Sequence, residues 1–338
     1  MRSRVRLALG MLLSLVFLVL AMRGIDWVQL GDLFSTASYG YLVLAFLLIV
    51  VISGVRAMRW HLLTRRDPGV DLGTLFHLVN IGYFFNNVLP AKAGEVVRGY
   101  LAGRRLTGRY GQAASSLLVE RLLDVLAVVV ILLLLLPVIS IPEWVRSGGL
   151  VFGMVAIAGT VTLLIIARVG VKAVDWVWRW VGRVPFIGRP AVKDLFTELV
   201  AGFGVLLDWR ILVPVLLTTV GVWLGYATLN YLMLFVFRLS DLPFSAAALV
   251  LCATGFSMMV PSSPGAMGVF EWAGVQGLLV YSVDQSVAFG YMLGLHLFTN
   301  LTLILLGALG MVSQGITYAH VKGVVAAGGP VTAVEGEQ

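Results

Sequence analysis

The sequence predicts an all-α polytopic membrane protein: about six spans plus two re-entrant broken-helix hairpins, arranged as an inverted repeat with both termini cytoplasmic. Three observations carry that reading. Hydrophobic residues make up 59% of the chain and charged residues 12%, a balance that would leave a soluble domain with a mostly apolar surface. Six apolar runs are long enough to cross a bilayer. A Pro-x-x-x-Gly motif also interrupts an apolar stretch twice, at Pro90–Gly94 and at Pro261–Gly265, about half the chain apart. Two related halves, each with a discontinuous helix, are the expected pattern of a transporter.

Taken in order, the first run, Leu7 to Met22, follows Arg2, Arg4 and Arg6 and reaches Arg23-Gly24 without a small-residue cleavage site. It reads as a retained signal anchor. The others are Tyr39 to Met58, Ala113 to Leu136, Gly149 to Ala167, Ile211 to Phe237 and Ser286 to Met311, each near the ~20 residues a ~30 Å hydrocarbon core requires. With the N-terminus inside, twenty of the 24 Lys and Arg residues fall on cytoplasmic segments, chiefly 56–111 and 168–210. The net charge of +7 is therefore a positive-inside bias, and nucleic acid is not an expected partner. The location that follows is the cytoplasmic (inner) membrane.

Orientation decides the two interrupted segments. Arg56, Arg59, Arg65 and Arg66 precede the first, and Lys92, Arg98, Arg104, Arg105 and Arg109 follow it. Both flanks want one side, so Leu75 to Leu89 should dip in and return; roughly fifteen helical residues reach only about 22 Å. The second segment, between Arg238/Asp241 and Asp284, should dip from the outside. Non-helical backbone at depth needs protein or water to satisfy it, so both breaks should line a cavity. Repeat one then covers residues 1–137 with its hairpin at about 74–105, and repeat two covers 148–312 with its hairpin at about 244–282. Repeat two includes an amphipathic connector at 170–209, where Trp176, Trp178 and Trp180 mix with bases and Pro185, Gly188 and Pro190 punctuate the chain. That composition suits a helix at headgroup depth. Val192, Leu195, Phe196, Leu199, Val200 and Phe203 follow as a helical apolar stripe. The tail at 323–338 is expected to be disordered.

Charges inside apolar segments mark the candidate site. Glu120, Arg121 and Asp124 lie about 10 to 17 Å into the third span, where each unpaired charge costs about 2.5 to 3.5 kcal/mol. Glu120 and Asp124 are i,i+4 and Arg121 and Asp124 i,i+3, so the cluster is partly self-neutralised. The remaining carboxylate calls for a cation, with Lys92 or Arg98 the natural candidates. The cluster either binds a lipid headgroup or clamps the broken hairpin. A half-helix starting near Gly94 would present free N–H groups to an anion, with Lys92 and Arg98 as phosphate ligands and Glu95 beside them. Asn86 and Asn87 satisfy loose backbone groups or contact substrate.

In the second half, Pro261, Pro264 and Gly265 preclude a regular helix. Ser262 and Ser263 can donate to freed carbonyls or cap a helix starting near Ala266. Glu271 is either a coupling carboxylate or a hydrogen-bond anchor for the break. His296 and Asn300 share a face of the last span, and Gly290 and Gly294 give it a close-packing face. A single cysteine, Cys252, precludes disulfides, and four scattered histidines suggest no metal. No Walker A loop or other enzyme signature stands out, and no cofactor is expected.

Arg59-Trp60, the stretch Asn86 to Arg98 with Pro90, Gly94 and Glu95, Glu120-Arg121 with Asp124, and Pro261 to Gly265 with Gly268 and Glu271 follow one another in this order. Together they resemble the lysylphosphatidylglycerol synthase transmembrane region family, described as flippase-like integral membrane proteins, over residues 7 to 315. In bifunctional members a domain of this kind is joined to a cytoplasmic aminoacyltransferase, which the sequence up to Gln338 does not contain. The resemblance therefore implies lipid handling rather than aminoacyl transfer. The expected function is translocation of an anionic phospholipid or a polyprenyl-phosphate-linked lipid. A membrane-embedded enzyme or enzyme subunit of envelope lipid synthesis, with Glu120 or Asp124 as base, is the alternative. Membrane lipids are the expected partners, together with a lipid-modifying enzyme.

Overall fold

A computed structural model describes residues 2–64, 70–89, 93–106, 109–139, 143–181, 189–258, 263–318 and 321, which form thirteen α-helices and no strand. Helix α1 (Arg2–Met22) turns sharply into α2 (Trp27–Ser35), at 87°. Asp26 accepts from the N–H groups of Val28 and Gln29 and so starts α2 afresh after the Gly24 turn (φ 78°). Helix α3 (Tyr41–Leu63) is followed by the shorter α4 (Leu72–Val88) and α5 (Ala93–Arg105), then by α6 (Tyr110–Leu135) and α7 (Glu143–Val169). The connector contributes α8 (Val171–Val181) and α9 (Pro190–Gly202). The second half continues with α10 (Trp209–Val236), α11 (Phe244–Ser257), α12 (Val269–Leu279) and α13 (Gln285–Gln314).

Length and hydropathy qualify four of these helices to cross a membrane, α3, α7, α10 and α13, or five if bent α1–α2 is one span. The sequence reading of six also counted residues 113–136. That segment is helical for 26 residues, but Glu120, Arg121 and Asp124 keep α6 out of the set of uniformly apolar helices. What surrounds the molecule is plain from α7: Leu150, Met154, Ile157, Val161 and Ile165 recur along one face, and all are at least half exposed. An apolar face of that length belongs against lipid.

The four short helices fall into two pairs. α4 stops at Leu89, whose extended backbone (ψ 146°) is what a residue before proline adopts; α5 resumes at Ala93 and packs back on α4. α11 and α12 pair in the same way around the second break. With 17, 13, 14 and 11 residues, none reaches the ~30 Å of a hydrocarbon core at 1.5 Å per residue. Each pair leans on the last long helix of the opposite half: α4 runs along α13, and α11 along α6, while α3 and α10 pack on each other between them. Glycines allow this. A Cβ at Gly294 would meet the Phe237 ring at 2.1 Å and one at Gly290 would meet Leu33 at 2.4 Å, so the close-packing face predicted for α13 is used, by α10's end and by α2.

The connector docks on protein as well as carrying exposed tryptophans. α9 crosses the start of α6 with backbones nearly touching, a Cβ at Gly111 lying 2.3 Å from the Leu195 carbonyl, and the Gly111 N–H donates to Glu198 at 2.9 Å. Val200 and Phe203 are buried there. α8 is held to α9 by an Asp175–Lys193 ion pair of 2.8 Å and by Trp178 against Phe196; Trp176 and Trp180 stay exposed. Pro185, Gly188 and the 323–338 tail lie outside the described residues.

Candidate functional site

Seven charged side chains from three helices converge between α3, α5 and α6. Arg56 and Arg59 are three apart, hence on one face of α3, and they meet Glu120 and Asp124, four apart on α6. Arg59 reaches Asp124 at 2.8 Å and Glu120 at 3.1 Å, and Arg56 lies 3.3 Å from Glu120 and 3.7 Å from Asp124. Arg98 comes from α5 and closes on Glu120 with two bonds, Nη1 to Oε1 at 3.1 Å and Nη2 to Oε2 at 2.7 Å. This bidentate geometry is the strongest a guanidinium offers a carboxylate. Arg121 spans the outer side, 3.4 Å from Glu95 and 3.6 Å from Asp124.

Aromatic groups complete the walls. The Arg98 guanidinium lies 3.8 Å from the Trp60 ring centre, and Arg56 sits between the Tyr83 and Tyr226 rings at 5.4 and 5.2 Å, positions favoured by the ring quadrupole. Trp60 Nε1 donates to Ser116, and Trp223 Nε1 donates to Asp124. Glu120, Arg59 and Arg98 are almost wholly shielded. Desolvation on this scale is survivable only because each charge has several partners. Four guanidiniums nevertheless face three carboxylates, a surplus of one positive charge among the described residues. The Nε–H groups of Arg56, Arg59 and Arg98 and the Tyr83 hydroxyl are buried there with no hydrogen-bond partner.

The structure thus brings together Glu95, Arg98, Glu120, Arg121 and Asp124, and it makes Arg98 the cation that the lone carboxylate called for. Its pair with Glu120 ties α5, the helix that follows the first break, to α6. Arg56 and Arg59 were counted among the cytoplasmic flanking charges, and that assignment is corrected: both lie inside α3 and are buried. The signal for them was available, since two arginines three apart within a 23-residue apolar helix cannot both face lipid. Trp60 stood out only beside Arg59 in the family resemblance, and Tyr83, Trp223 and Tyr226 gave no signal, because aromatic residues in apolar helices are ordinary packing. Pro90 and Lys92 lie outside the described residues.

The two breaks meet. Asn87, at the end of α4, donates to the Tyr83 carbonyl at 3.1 Å, and a Cβ at Gly265 would lie 3.6 Å from Asn87 Oδ1 and 3.7 Å from Asn300 Nδ2. Asn86 is beside Gly94: a Cβ at Gly94 would strike the Gly82 carbonyl at 1.9 Å and the Asn86 backbone N at 2.7 Å. Only glycine lets α5 begin so close to α4. The second break is pinned by α1, since the Ser263 N–H donates to Ser14 Oγ at 2.8 Å; Ser14 escaped the sequence reading. Ser263 Oγ donates to the Pro264 and Met267 carbonyls, while Pro261 and Ser262 lie outside the described residues.

Past this turn the expected helix start near Ala266 is corrected to Val269, because Gly265, Ala266 and Gly268 all hold positive φ. The cap is Glu271 itself, which accepts the Gly268 N–H at 2.6 Å and lies 2.5 Å from His296 Nδ1. Glu271 and His296 are buried at 1% and 5% exposure, and the His296 ring stacks on Phe270. Glu271 stands apart from the ion-pair cluster and anchors the second break.

Comparison with known proteins adds the family. A segment of 117 residues, 34% of this chain, is 27% identical to the UPF0104 membrane protein MJ1595 of Methanocaldococcus jannaschii. That match spans about a third of the relative's length, 35%. No solved structure matches the chain. The lysylphosphatidylglycerol synthase TM region model matches residues 7–307, and with most of its length so accounted for, the chain belongs to that family of integral membrane proteins.

Proposed function

We propose that this protein is a flippase-like lipid translocase of the cytoplasmic membrane, moving an anionic phospholipid or a polyprenyl-phosphate-linked lipid past two re-entrant hairpins, α4–α5 and α11–α12. The observation that carries the reading is a line of polar groups running from one break to the other. It starts at the surplus guanidinium charge around Glu120 and passes Tyr83 and Asn87, which are one turn apart on α4. It crosses the Gly265 turn to Asn300, and it ends at His296, one turn from Asn300, and Glu271. Glu120, Glu271 and His296 are buried and Tyr83, Asn87 and Asn300 half-buried; in a membrane protein, polar side chains in file at depth are expensive and mark a substrate path. A lipid headgroup needs such a path because shedding its water is the costly step.

The exchanged packing of the halves supports an inverted repeat: α3 with α10, α4–α5 with α11–α12, and α6 with α13 correspond, and each hairpin leans on the other half's closing helix. In this reading residues 1–137 and 148–312 are the repeats, α6 is a sixth span whose charges face inward, and both termini are cytoplasmic. Asn86, Asn87 and Arg98 serve the headgroup from the first break and Ser263 and Glu271 shape the second; Lys92 and Ser262, outside the described residues, are assigned to the same two groups from the sequence. The involvement of Glu120 and Asp124 in several ion pairs each argues against either acting as a free general base. The test is reconstitution into liposomes with headgroup-labelled phosphatidylglycerol and a membrane-impermeant quencher. Wild type is expected to bring inner-leaflet label within reach, and a monodisperse Arg98→Ala variant is expected to lose this. Equal rates for protein-free and protein-containing liposomes, across phosphatidylglycerol and a short polyprenyl phosphate, would overturn translocation.

A further inference from the structure

The end of α5 far from its break carries Arg104 and Arg105. With Leu78, Leu101, Gln314 and Thr317 they wall a cavity of about 500 Å³. Its floor is apolar: Leu78 and Leu101 are 1% and 7% exposed. Its rim is polar and open, with both arginines and Thr317 exposed. Arg105 donates to Gln314 Oε1 at 3.0 Å. Glutamine is neutral, and among the described residues no carboxylate pairs with Arg105, so its charge stands uncompensated.

The depth of the cavity is set by α13. That helix is 30 residues long, about 45 Å, and Gln314 is its last residue; Gly315 (φ 64°) caps it by donating to the Met311 carbonyl. An apolar helix of that length ends among lipid headgroups. The cavity shares one face of α5 with the ion-pair cluster. Arg98, Leu101 and Arg105 fall at i, i+3 and i+7, hence on one face of α5, with buried Leu101 between the two arginines.

We propose that this cavity is a phosphate-binding site that receives the headgroup phosphate of an anionic lipid, at the mouth of the path that leads to Arg98. A guanidinium at the rim matches a phosphate diester with paired N–H groups, and the leucine floor accepts the glycerol and first acyl carbons. The inference rests on the lipid-handling reading, but binding tests it rather than transport.

Cys252 is buried, so a Cys252→Ala, Thr317→Cys protein can carry one solvatochromic label at the rim. The full chain is placed in nanodiscs of zwitterionic lipid, and phosphatidylglycerol is raised stepwise. The expected result is a saturable spectral shift. Arg105→Gln weakens it about tenfold, the loss of one charge-assisted contact, Arg105→Lys recovers part, and Arg210→Gln, on α10 and outside the cavity lining, leaves it unchanged. A shift that never saturates, or that Arg105→Gln does not move, overturns the site. Saturation by soluble glycerol phosphate in zwitterionic discs, with no further response to phosphatidylglycerol, overturns the lipid occupant. Saturable binding without transport in the liposome assay upholds this site and overturns translocation, whereas transport without saturable binding does the reverse.

Discussion

Substituting Glu120→Gln removes one charge and almost no volume from the centre of the ion-pair cluster. Its consequences follow from who is left with what. Arg59 keeps Asp124 at 2.8 Å, Arg56 keeps Asp124 at 3.7 Å, and Arg121 keeps Glu95 and Asp124. Among the described residues Arg98 keeps nothing charged, because both of its ionic contacts are to Glu120, and it is 4% exposed. Stranding a buried charge in this way costs about 3 to 5 kcal/mol, and the surplus over carboxylates rises from one guanidinium to two. Arg98→Gln should be milder, about 1.5 to 3 kcal/mol, since Glu120 retains Arg56 and Arg59 and the cluster becomes neutral. The double variant should be more stable than Glu120→Gln alone, because the stranded charge is gone. Cys252 makes the assay direct: a thiol-reactive dye reports its exposure on heating, and Glu120→Gln should lower the apparent Tm by about 5 °C. If Glu120→Gln melts no lower than Arg98→Gln, or if the two losses add in the double variant, the clamp reasoning is refuted.

Three further outcomes test other parts of the structure with the same dye. Gly94→Ala drives a Cβ to within 1.9 Å of the Gly82 carbonyl, so the hairpin must open at a cost of about 3 kcal/mol; wild-type melting would remove the close-approach argument. Glu271→Ala forfeits the Gly268 cap, about 1 kcal/mol, and the His296 contact as well, and should therefore melt below His296→Ala, which forfeits only the latter. At Glu198, on connector helix α9, which is not among the candidate membrane spans, burial raises the carboxyl above its ordinary range despite the Gly111 N–H. The folded state then holds that proton more tightly than the unfolded state does, so the stabilising contribution is full at acid pH and falls as pH rises through the raised pKa. Glu198→Gln should accordingly melt above wild type at pH 7, with the gap closing as pH is lowered; a gap that widens on acidification would contradict the sign.

Much of this protein could be read from its residues in order. Composition and run length decided the solvent, since no arrangement of 59% hydrophobic residues suits water. Pro90 and Pro261 marked the breaks, because proline removes a donor and pushes the preceding residue out of helix, as Leu89 demonstrates. The need of Glu120, Arg121 and Asp124 for a cation from α5 also followed, from the cost of charge at depth. Tertiary structure decided which cations answered. Arg56 and Arg59 look like flanking positive charges until α3 is seen to continue to Leu63 and turn that face toward α6. It also decided that Asn87 would meet the Gly265 turn, that Ser14 would hold the Ser263 N–H, and that Glu271 would cap its own helix and reach His296. Periodicity and insertion cost are properties of one segment and are written locally. Which helix faces which is set by packing between segments far apart in the chain, and a single sequence carries that only in the joint fit of all its side chains.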